Sequence, residues 1–369
     1  MASRLAAFYF AFFAYAGAHV AYFPLYLADR GLSPAHIAWV LALGPLTRIF
    51  APAAWGWVAD RTGAHRAVVA FSCAVTAGAY AVLPYTSHIA WVIGLMSVLS
   101  AGALPIVEAI TLGSLAGQSG RYGPIRLWGS VGFIAVVLAG GAWLDFQPVS
   151  TLPAALVAFM LAALVVALAL PSTKAHAAAP AIAFRVGPEA RALFAAGICN
   201  AIAHGALYAF LSLHLEALGY SATTIGMLWT LGVLAEIVVF FYLPQIFRRF
   251  ALSTILVASL LAGALRFAAI GWGAGHLWIV LLAQLLHAAT FGSFHAASVA
   301  AVHRLFPEHA QARGQALFSG FVYGAGAAAG LVISGWAWQL GGAPLAFSLA
   351  ALGALAGAIF AGQLKGAGL

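Results

Sequence analysis

Apolar runs long enough to cross a bilayer follow one another along almost the whole chain. One crossing needs roughly 20 apolar residues, and the runs are separated only by short segments with charged residues, Pro or Gly. Hydrophobic side chains make up 64% of the 369 residues and charged ones 7%, whereas a soluble domain carries about 25% charged residues. The chain has too few polar groups to cover a surface in water, which excludes an ordinary soluble enzyme.

The charged and the Pro- or Gly-rich breaks predict an all-α integral membrane protein with twelve transmembrane helices. Six are expected near residues 5–27, 35–58, 67–86, 89–117, 127–144 and 149–170, and six near 191–215, 222–247, 252–271, 276–302, 314–338 and 343–363. The most polar connection lies between the two sets. We therefore predict an N-terminal six-helix half at 1–170, a cytoplasmic linker at 171–190 and a C-terminal six-helix half at 191–369.

The basic residues predict the orientation. All but three of the 16 Lys and Arg fall in alternate connections and at the termini, and the opposite side holds a single basic residue, Arg30. Because positive connections stay cytoplasmic, we expect both termini inside, with the protein spanning the cell inner membrane several times. The net charge of +8 is scattered along the chain, which argues against a nucleic-acid surface.

An internal repeat supports the division into two halves. Gly31-Leu-Ser33 precedes the second predicted helix and Gly219-Tyr-Ser221 precedes the eighth, an offset of 188 residues that also pairs Arg48 with Glu236. Chance identity between apolar helices is the alternative. Two halves in the same orientation would place a solute site between them at mid-depth.

The connection after the second predicted helix carries a motif of glycine and charge. It reads Gly56-Trp-Val-Ala-Asp60-Arg61-Thr-Gly63-Ala-His-Arg66. This segment resembles the signature loop of the major facilitator superfamily, although the residue after Gly63 is not basic. The resemblance implies the major facilitator fold and a conformational latch in which Asp60 faces arginine side chains. A tight turn with a solvated basic loop is the alternative. The predicted latch residues are Gly56, Asp60, Arg61, Gly63 and Arg66.

Ionisable residues in several predicted helices indicate a particular branch of this superfamily. Glu108 and Arg126 lie eighteen residues apart, and Glu236, Arg266 and His287 fall in the eighth, ninth and tenth helices. This set resembles the lactose-permease branch of proton symporters, and the segments around Arg126 and Glu236 are more similar to its phenylpropionate-permease relatives. The resemblance implies proton-coupled import of a small solute by alternating access. The residues implied in proton coupling are Glu236, Arg266, His287 and Glu108.

One position departs from the pattern of that branch. Three residues after His287 the chain has Thr290, where the permease carries a second glutamate that holds the proton. A threonine does not titrate, so we expect the proton on Glu236, with His287 and Glu108 as alternatives. Entry of the proton with a weakly acidic solute, or transport without protons, also stays open.

Buried charges suggest the kind of solute. An ionisable side chain at bilayer depth costs about 2.5–3.5 kcal/mol, so these groups must face the protein interior, and structural pairing alone could explain them. Arg48, Arg126 and Arg266 leave a surplus of positive charge, and an arginine fork suits a carboxylate. We expect an organic anion such as an aromatic carboxylate. A sugar or nucleoside symporter and an efflux antiporter are the alternatives.

Polar and aromatic side chains recur at helical spacing on the first, seventh and tenth helices, which line the central cavity in the superfamily. Helix–helix hydrogen bonding is the alternative for each residue singly. Enzyme motifs and metal-ligand patterns are missing from the sequence, so we expect a transporter without cofactor or metal. The expected partners are the solute, protons and lipid, with no nucleic acid, and the protein is expected to be monomeric. The predicted substrate-binding residues are Arg48, Arg126, Tyr15, His19, Asn200, His204, Tyr208, Gln284 and Phe291.

Overall fold

A computed structural model describes residues 1–115, 122–171 and 186–364. Every regular element in these ranges is helical, which confirms the all-α prediction for this part of the chain. Ten of the described helical stretches are long and apolar enough to cross a membrane, or eleven when one bent pair counts as a single span. Most of the predicted linker at 171–190 lies outside the described residues, as do four of the basic residues behind the predicted orientation.

Fifteen α-helices are described, and we number them in chain order. The first eight are α1 Ala2–Asp29, α2 Pro34–Thr47, α3 Ala51–Thr62, α4 His65–Val82, α5 Ile89–Ser100, α6 Ala103–Ser114, α7 Tyr122–Leu144 and α8 Leu152–Leu168. The others are α9 Pro188–Ala217, α10 Ala222–Arg249, α11 Leu252–Gly273, α12 Leu277–Leu285, α13 Phe294–Leu305, α14 Gln311–Ser319 and α15 Ala327–Gly362. π-Helical segments occupy Ala288–Ser293 and Gly320–Gly326.

Two of the predicted spans are interrupted where they carry charged or polar side chains. The second is broken between α2 and α3, and Arg48 lies at that break. Pro45 precedes the break and Pro52 follows it; proline has no N–H to donate, so it weakens the helix ladder there. The tenth span changes from α12 to the π-helical segment directly after His287. A π turn is uncommon and is found most often at functional sites.

The last helical stretch contains a further break. Glu308–Gly362 covers 55 residues, far more than a 30 Å hydrocarbon layer requires at about 1.5 Å per residue. Gly341 and Gly342 have non-helical dihedral angles, and Gly342 has a φ of 64° with a ψ of −158°, a combination that only glycine adopts readily. The helix axis is therefore interrupted where the sequence predicts the connection between the last two spans.

Contacts divide the chain into two compact units. The first contains Met1–Gly31, the described part of Phe50–Ala179, and Ser221–Gly226. The second contains Leu32–Ile49, the described part of Pro180–Tyr220, and the described part of Met227–Leu369. Each unit has its own apolar core.

Close packing explains why two short segments belong to these units. In the second unit α2 packs on α15 where a side chain at Gly335 would collide with Ala38. In the first unit the start of α10 packs on α7, because a Cβ at Gly141 would lie 2.5 Å from the Ala222 carbonyl oxygen. Asp145 also accepts a hydrogen bond from the Ala222 N–H at 2.7 Å.

Candidate functional site

A buried arginine organises the polar cluster of the second unit. Arg266 on α11 is only 1% exposed. Its Nη1 donates to His287 Nδ1 and to Thr290 Oγ1, each at 3.0 Å, and its Nη2 donates to Gln284 Oε1 at 2.8 Å. A guanidinium donates and never accepts, so His287 Nδ1 must be the acceptor. The ring proton of a neutral His287 is therefore on Nε2.

The other ring nitrogen of this histidine faces a carboxylate. His287 Nε2 lies 3.7 Å from Glu236 Oε2 of α10. The π-helical segment places Gly292 against the Glu236 side chain, where a Cβ would lie 2.9 Å from Glu236 Cγ. Gly292 therefore leaves the space that Glu236 needs to approach His287.

Three polar residues spaced by four along α9 join the same cluster. Asn200 Nδ2 donates to the Thr290 carbonyl oxygen at 3.4 Å, and His204 Nδ1 donates to the Asn200 carbonyl oxygen at 2.8 Å. Tyr208 stacks on Trp229 with the rings 6.3 Å apart. Tyr208 is also close enough to interact electrostatically with Glu236, Arg266 and Arg48.

Four side chains of this cluster keep one polar atom without a hydrogen-bond partner in the described part of the chain. These atoms are Arg266 Nε, Gln284 Nε2, His204 Nε2 and Asn200 Oδ1. Leaving a buried donor or acceptor unpaired costs about 1–3 kcal/mol, and native structures contain few such groups. These four atoms provide two donors and two acceptors with which a polar ligand can pair.

Aromatic rings border the cluster along the tenth span. Phe291 stacks in parallel between His287 and His295, with ring centres 5.4 and 6.3 Å apart. His295 Nδ1 is 2.8 Å from the Tyr323 hydroxyl. Phe291 remains partly exposed, so an aromatic face is available beside the buried polar groups. His295 and Tyr323 were not among the predicted binding residues.

Arg48 belongs to the second unit and lies at the break between α2 and α3. Its residue surface is exposed, unlike that of Arg266. Within the described ranges no carboxylate oxygen lies within 4.0 Å of Arg48 or of Arg266. Arg48 and Arg266 are thus the two arginines that fall in the interior of predicted spans of the second unit, and neither has an ion-pair partner in the described residues.

The first unit holds a separate charged pair. Arg126 Nε on α7 lies 3.9 Å from Glu108 Oε1 on α6. The Arg126 guanidinium also lies 4.1 Å above the Phe13 ring. Both are possible because Gly129 has no side chain, since a Cβ there would lie 2.7 Å from Arg126 Nη1. Both members of the pair remain partly exposed.

A chain of aromatic groups lies elsewhere in the first unit. Tyr80 of α4 connects the two predicted residues of α1, because its hydroxyl is 2.8 Å from His19 Nδ1 and 3.3 Å from the Tyr15 hydroxyl. Phe23 stacks on His19 at 4.6 Å. A sequence signal for Tyr80 exists, because Ser72, Thr76 and Tyr80 are spaced by four along α4 and form a buried polar face.

The segment expected to form the latch ends α3. Gly63 has a φ of 65° and terminates the helix in the left-handed conformation. Asp60 Oδ1 accepts from His65 Nε2 at 2.9 Å, whereas the sequence predicted that arginine side chains would face this aspartate. Arg61 instead lies over the Trp57 ring at 5.3 Å. Gly56 and the exposed Arg66 flank this pair in the chain.

The predicted site residues therefore fall partly in the first unit and partly in the second. The first unit contains Tyr15, His19, Glu108 and Arg126, and the latch segment. The second unit brings most of the others into one connected cluster, namely Asn200, His204, Tyr208, Glu236, Arg266, Gln284, His287 and Phe291, with Arg48 near Tyr208.

Comparison with known proteins gives consistent results. The model of the MFS_1 like family matches residues 2–349. The chain is 27% identical over 313 residues to the Escherichia coli protein named "Probable 3-phenylpropionic acid transporter", with 79% of each chain covered. It is 27% identical over 360 residues to the maltose permease of Geobacillus stearothermophilus, over 93% of this chain and 90% of that one. The crystal structure of the nucleoside transporter NupG shares the fold, with a TM-score of 0.84 at 18% identity over 99% of this chain and 98% of the other.

Proposed function

We propose a function from the premise that the chain belongs to the MFS_1 like family and is therefore a multi-pass membrane transporter and not an enzyme. In this proposal it imports a small organic anion, such as an aromatic carboxylate, together with protons and by alternating access. The anion binds at Arg266, and the protons are exchanged through the cluster formed by Glu236 and His287.

The unneutralised charge of Arg266 is the observation that carries the proposal. The guanidinium is almost completely buried, and in the described part of the chain its partners are neutral. A buried cation without a counter-ion is costly, and a solute carboxylate would supply the missing negative charge. The free Nε–H lies on the edge of the guanidinium that arginine uses to bind carboxylates side-on.

The aromatic part of the solute has matching surfaces. Phe291 and Tyr208 are partly exposed, and their rings lie 6.2 and 6.1 Å from that of His204. Aromatic rings pack favourably at such separations. The similarity to a protein named as a 3-phenylpropionic acid transporter supports the same solute class.

We infer that Glu236 carries the proton. His287 Nδ1 is occupied by Arg266, so His287 gains a second proton only if Arg266 moves away. Glu236 lies next to the neutral ring. Two negative charges in one buried cluster repel each other, so a bound anion and a proton on Glu236 stabilise each other reciprocally. This reciprocity is the physical basis for symport.

A neutral sugar is the second candidate solute. The maltose permease matches 93% of the chain, a larger share than the phenylpropionic acid relative covers at the same identity. The mixture of unpaired donors and acceptors also suits hydroxyl groups. Efflux by proton antiport remains a mechanistic alternative for either solute.

We also propose twelve spans arranged as halves at 1–170 and 191–369, with both termini cytoplasmic and the protein acting as a monomer in the inner membrane. The break at Gly341 and Gly342 supports counting Glu308–Gly362 as two spans. The bent pair α2 and α3 completes the count when taken as one span.

Transport into proteoliposomes with an internal pH dye tests the function. The probes are 3-phenylpropionate, maltose and uridine, each with and without an inward proton gradient. Symport of the acid would acidify the interior faster than in protein-free liposomes, which report diffusion of the neutral acid. Alkalinisation would indicate antiport. A change of internal pH with maltose alone would identify a neutral sugar as the solute. The control Arg266→Gln should abolish uptake of the acid above the protein-free rate.

A further inference from the structure

Two polar atoms of the second unit have no hydrogen-bond partner among the described residues, and the neighbouring groups identify both atoms as acceptors. His204 Nδ1 faces a carbonyl oxygen, which only accepts, so Nδ1 carries the proton and Nε2 of the neutral ring is an acceptor. Asn200 Nδ2 likewise faces the Thr290 carbonyl, so the unpaired atom of this amide is the oxygen. Each of these side chains is 3% exposed.

Two donors are left unpaired in the same cluster. Gln284 Oε1 accepts from Arg266, so the unpaired Gln284 Nε2 is a donor. Arg266 Nη2 donates to Gln284 Oε1, whereas the Arg266 Nε–H has no acceptor among the described residues and is the second unpaired donor. The cluster therefore presents a pair of donors and a pair of acceptors.

Thr290 places the two pairs close together. Its hydroxyl accepts from Arg266 Nη1 at 3.0 Å and its carbonyl accepts from Asn200 Nδ2 at 3.4 Å. One member of each pair, Arg266 and Asn200, is thus hydrogen-bonded directly to Thr290. A ligand that satisfies both needs its acceptor and its donor within a few bonds of each other.

We propose that Asn200 and His204 form a subsite for a hydroxyl or amino donor next to the carboxylate site of Arg266 and Gln284. The preferred solute is then an organic acid with a hydroxyl or amino group beside its carboxylate, and not the unsubstituted acid. This rests on the proposed function, because it takes Arg266 as the carboxylate site. A site built to accept a hydrogen bond selects strongly against an analogue that lacks the donor.

Binding of two matched acids to the full chain in lipid nanodiscs tests the subsite. The probes are 3-phenylpropionate and 2-hydroxy-3-phenylpropionate, which have the same ring, chain length and charge. The wild type should bind the hydroxy acid about tenfold more tightly, the value of one additional hydrogen bond in a buried site. Asn200→Leu and His204→Phe should each reduce this ratio to about one, and a loss of affinity that is common to both acids does not change the ratio.

Two further variants and a control keep the test decisive. His204→Gln retains an acceptor and should keep part of the preference, and Asn200→Ser removes the amide without adding apolar bulk. Cys199→Ala is the matched control, because this neighbour of Asn200 packs on α15, with its Cβ 3.0 Å from the position of a Cβ at Gly357. The ratio of its affinities for the two acids should equal that of the wild type.

The outcomes separate the two proposals. Equal affinity of the wild type for the two acids, or a preference that survives in both Asn200 and His204 variants, would overturn the subsite and leave the anion site in place. Failure of the wild type to bind either acid would overturn the anion site and the subsite with it.

Discussion

Thr290 Oγ1 accepts a hydrogen bond from Arg266 Nη1 at 3.0 Å. At this position the branch of symporters that the chain resembles carries a glutamate. A neutral hydroxyl satisfies the geometry of the guanidinium but does not cancel its charge. The direct hydrogen-bond partners of Arg266 are therefore neutral groups.

Thr290→Glu should remove the anion site. The new carboxylate would lie beside Arg266 and neutralise it, so the affinity for 3-phenylpropionate should fall at least about tenfold. Equilibrium binding in nanodiscs measures the change. Thr290→Gln is the control of equal size without charge, and it should retain most of the affinity. Unchanged binding in the glutamate variant would show that the anion does not contact Arg266.

Arg48→Gln tests whether Arg48 takes part in binding the anion. Arg48 lies at the break between α2 and α3 and has no ion pair in the described ranges, so Arg48→Gln breaks no ion pair there. If Arg48 attracts the anion, the KM for uptake should rise several-fold, and Arg48→Lys should restore much of it. Uptake kinetics that equal those of the wild type would remove Arg48 from the substrate-binding residues.

Gly292→Ala should impair proton coupling. The added methyl group would lie 2.9 Å from Glu236 Cγ and displace the carboxylate from His287, at an overpacking cost of about 1–3 kcal/mol. We expect gradient-driven accumulation of the anion to fall more than exchange without a gradient. Gly263→Ala is the control, because the nearest atom there is 3.5 Å away. Equal losses in both assays would argue against a coupling role of Glu236.

Asp60→Asn tests whether Asp60 acts in a conformational latch or only makes a structural contact in the turn. The Asp60 side chain is 45% exposed, and exposed ion pairs contribute about 0.2–1 kcal/mol, so the melting temperature should change little. A conformational latch should nevertheless slow uptake several-fold when its charge is removed. His65→Gln keeps a donor and should be milder. Wild-type uptake in Asp60→Asn would leave this segment as a simple turn.

Part of the site could be predicted from residue types alone. The sequence indicates Glu236, Arg266 and His287 as site residues, because an ionisable group in an apolar helix costs free energy. The polar face of α9 could be predicted from the spacing of Asn200 and His204. Such arguments use only the neighbours along the helix, which the sequence contains.

Other features required contacts between helices that are distant in the sequence. Tyr80 shares a polar face of α4 with Ser72 and Thr76, but only its approach to His19 gives it a role. The pairing of Asp60 with His65 instead of an arginine depends on the turn geometry after Gly63. The approach of Glu236 to His287 depends on the π-helical segment, which helical periodicity does not predict.

The amino-acid sequence by itself determined that the chain is a helical membrane protein and which ionisable groups lie within its apolar segments. The reason is that the transfer free energy of a segment depends on its own residues. Only the tertiary structure decided which of those groups meet, which atom of His287 carries the proton, and which atoms of Arg266, Gln284, His204 and Asn200 remain unpaired. Hydrogen bonds act over about 3 Å, so they depend on the packing of helices far apart in the chain and on the breaks within them.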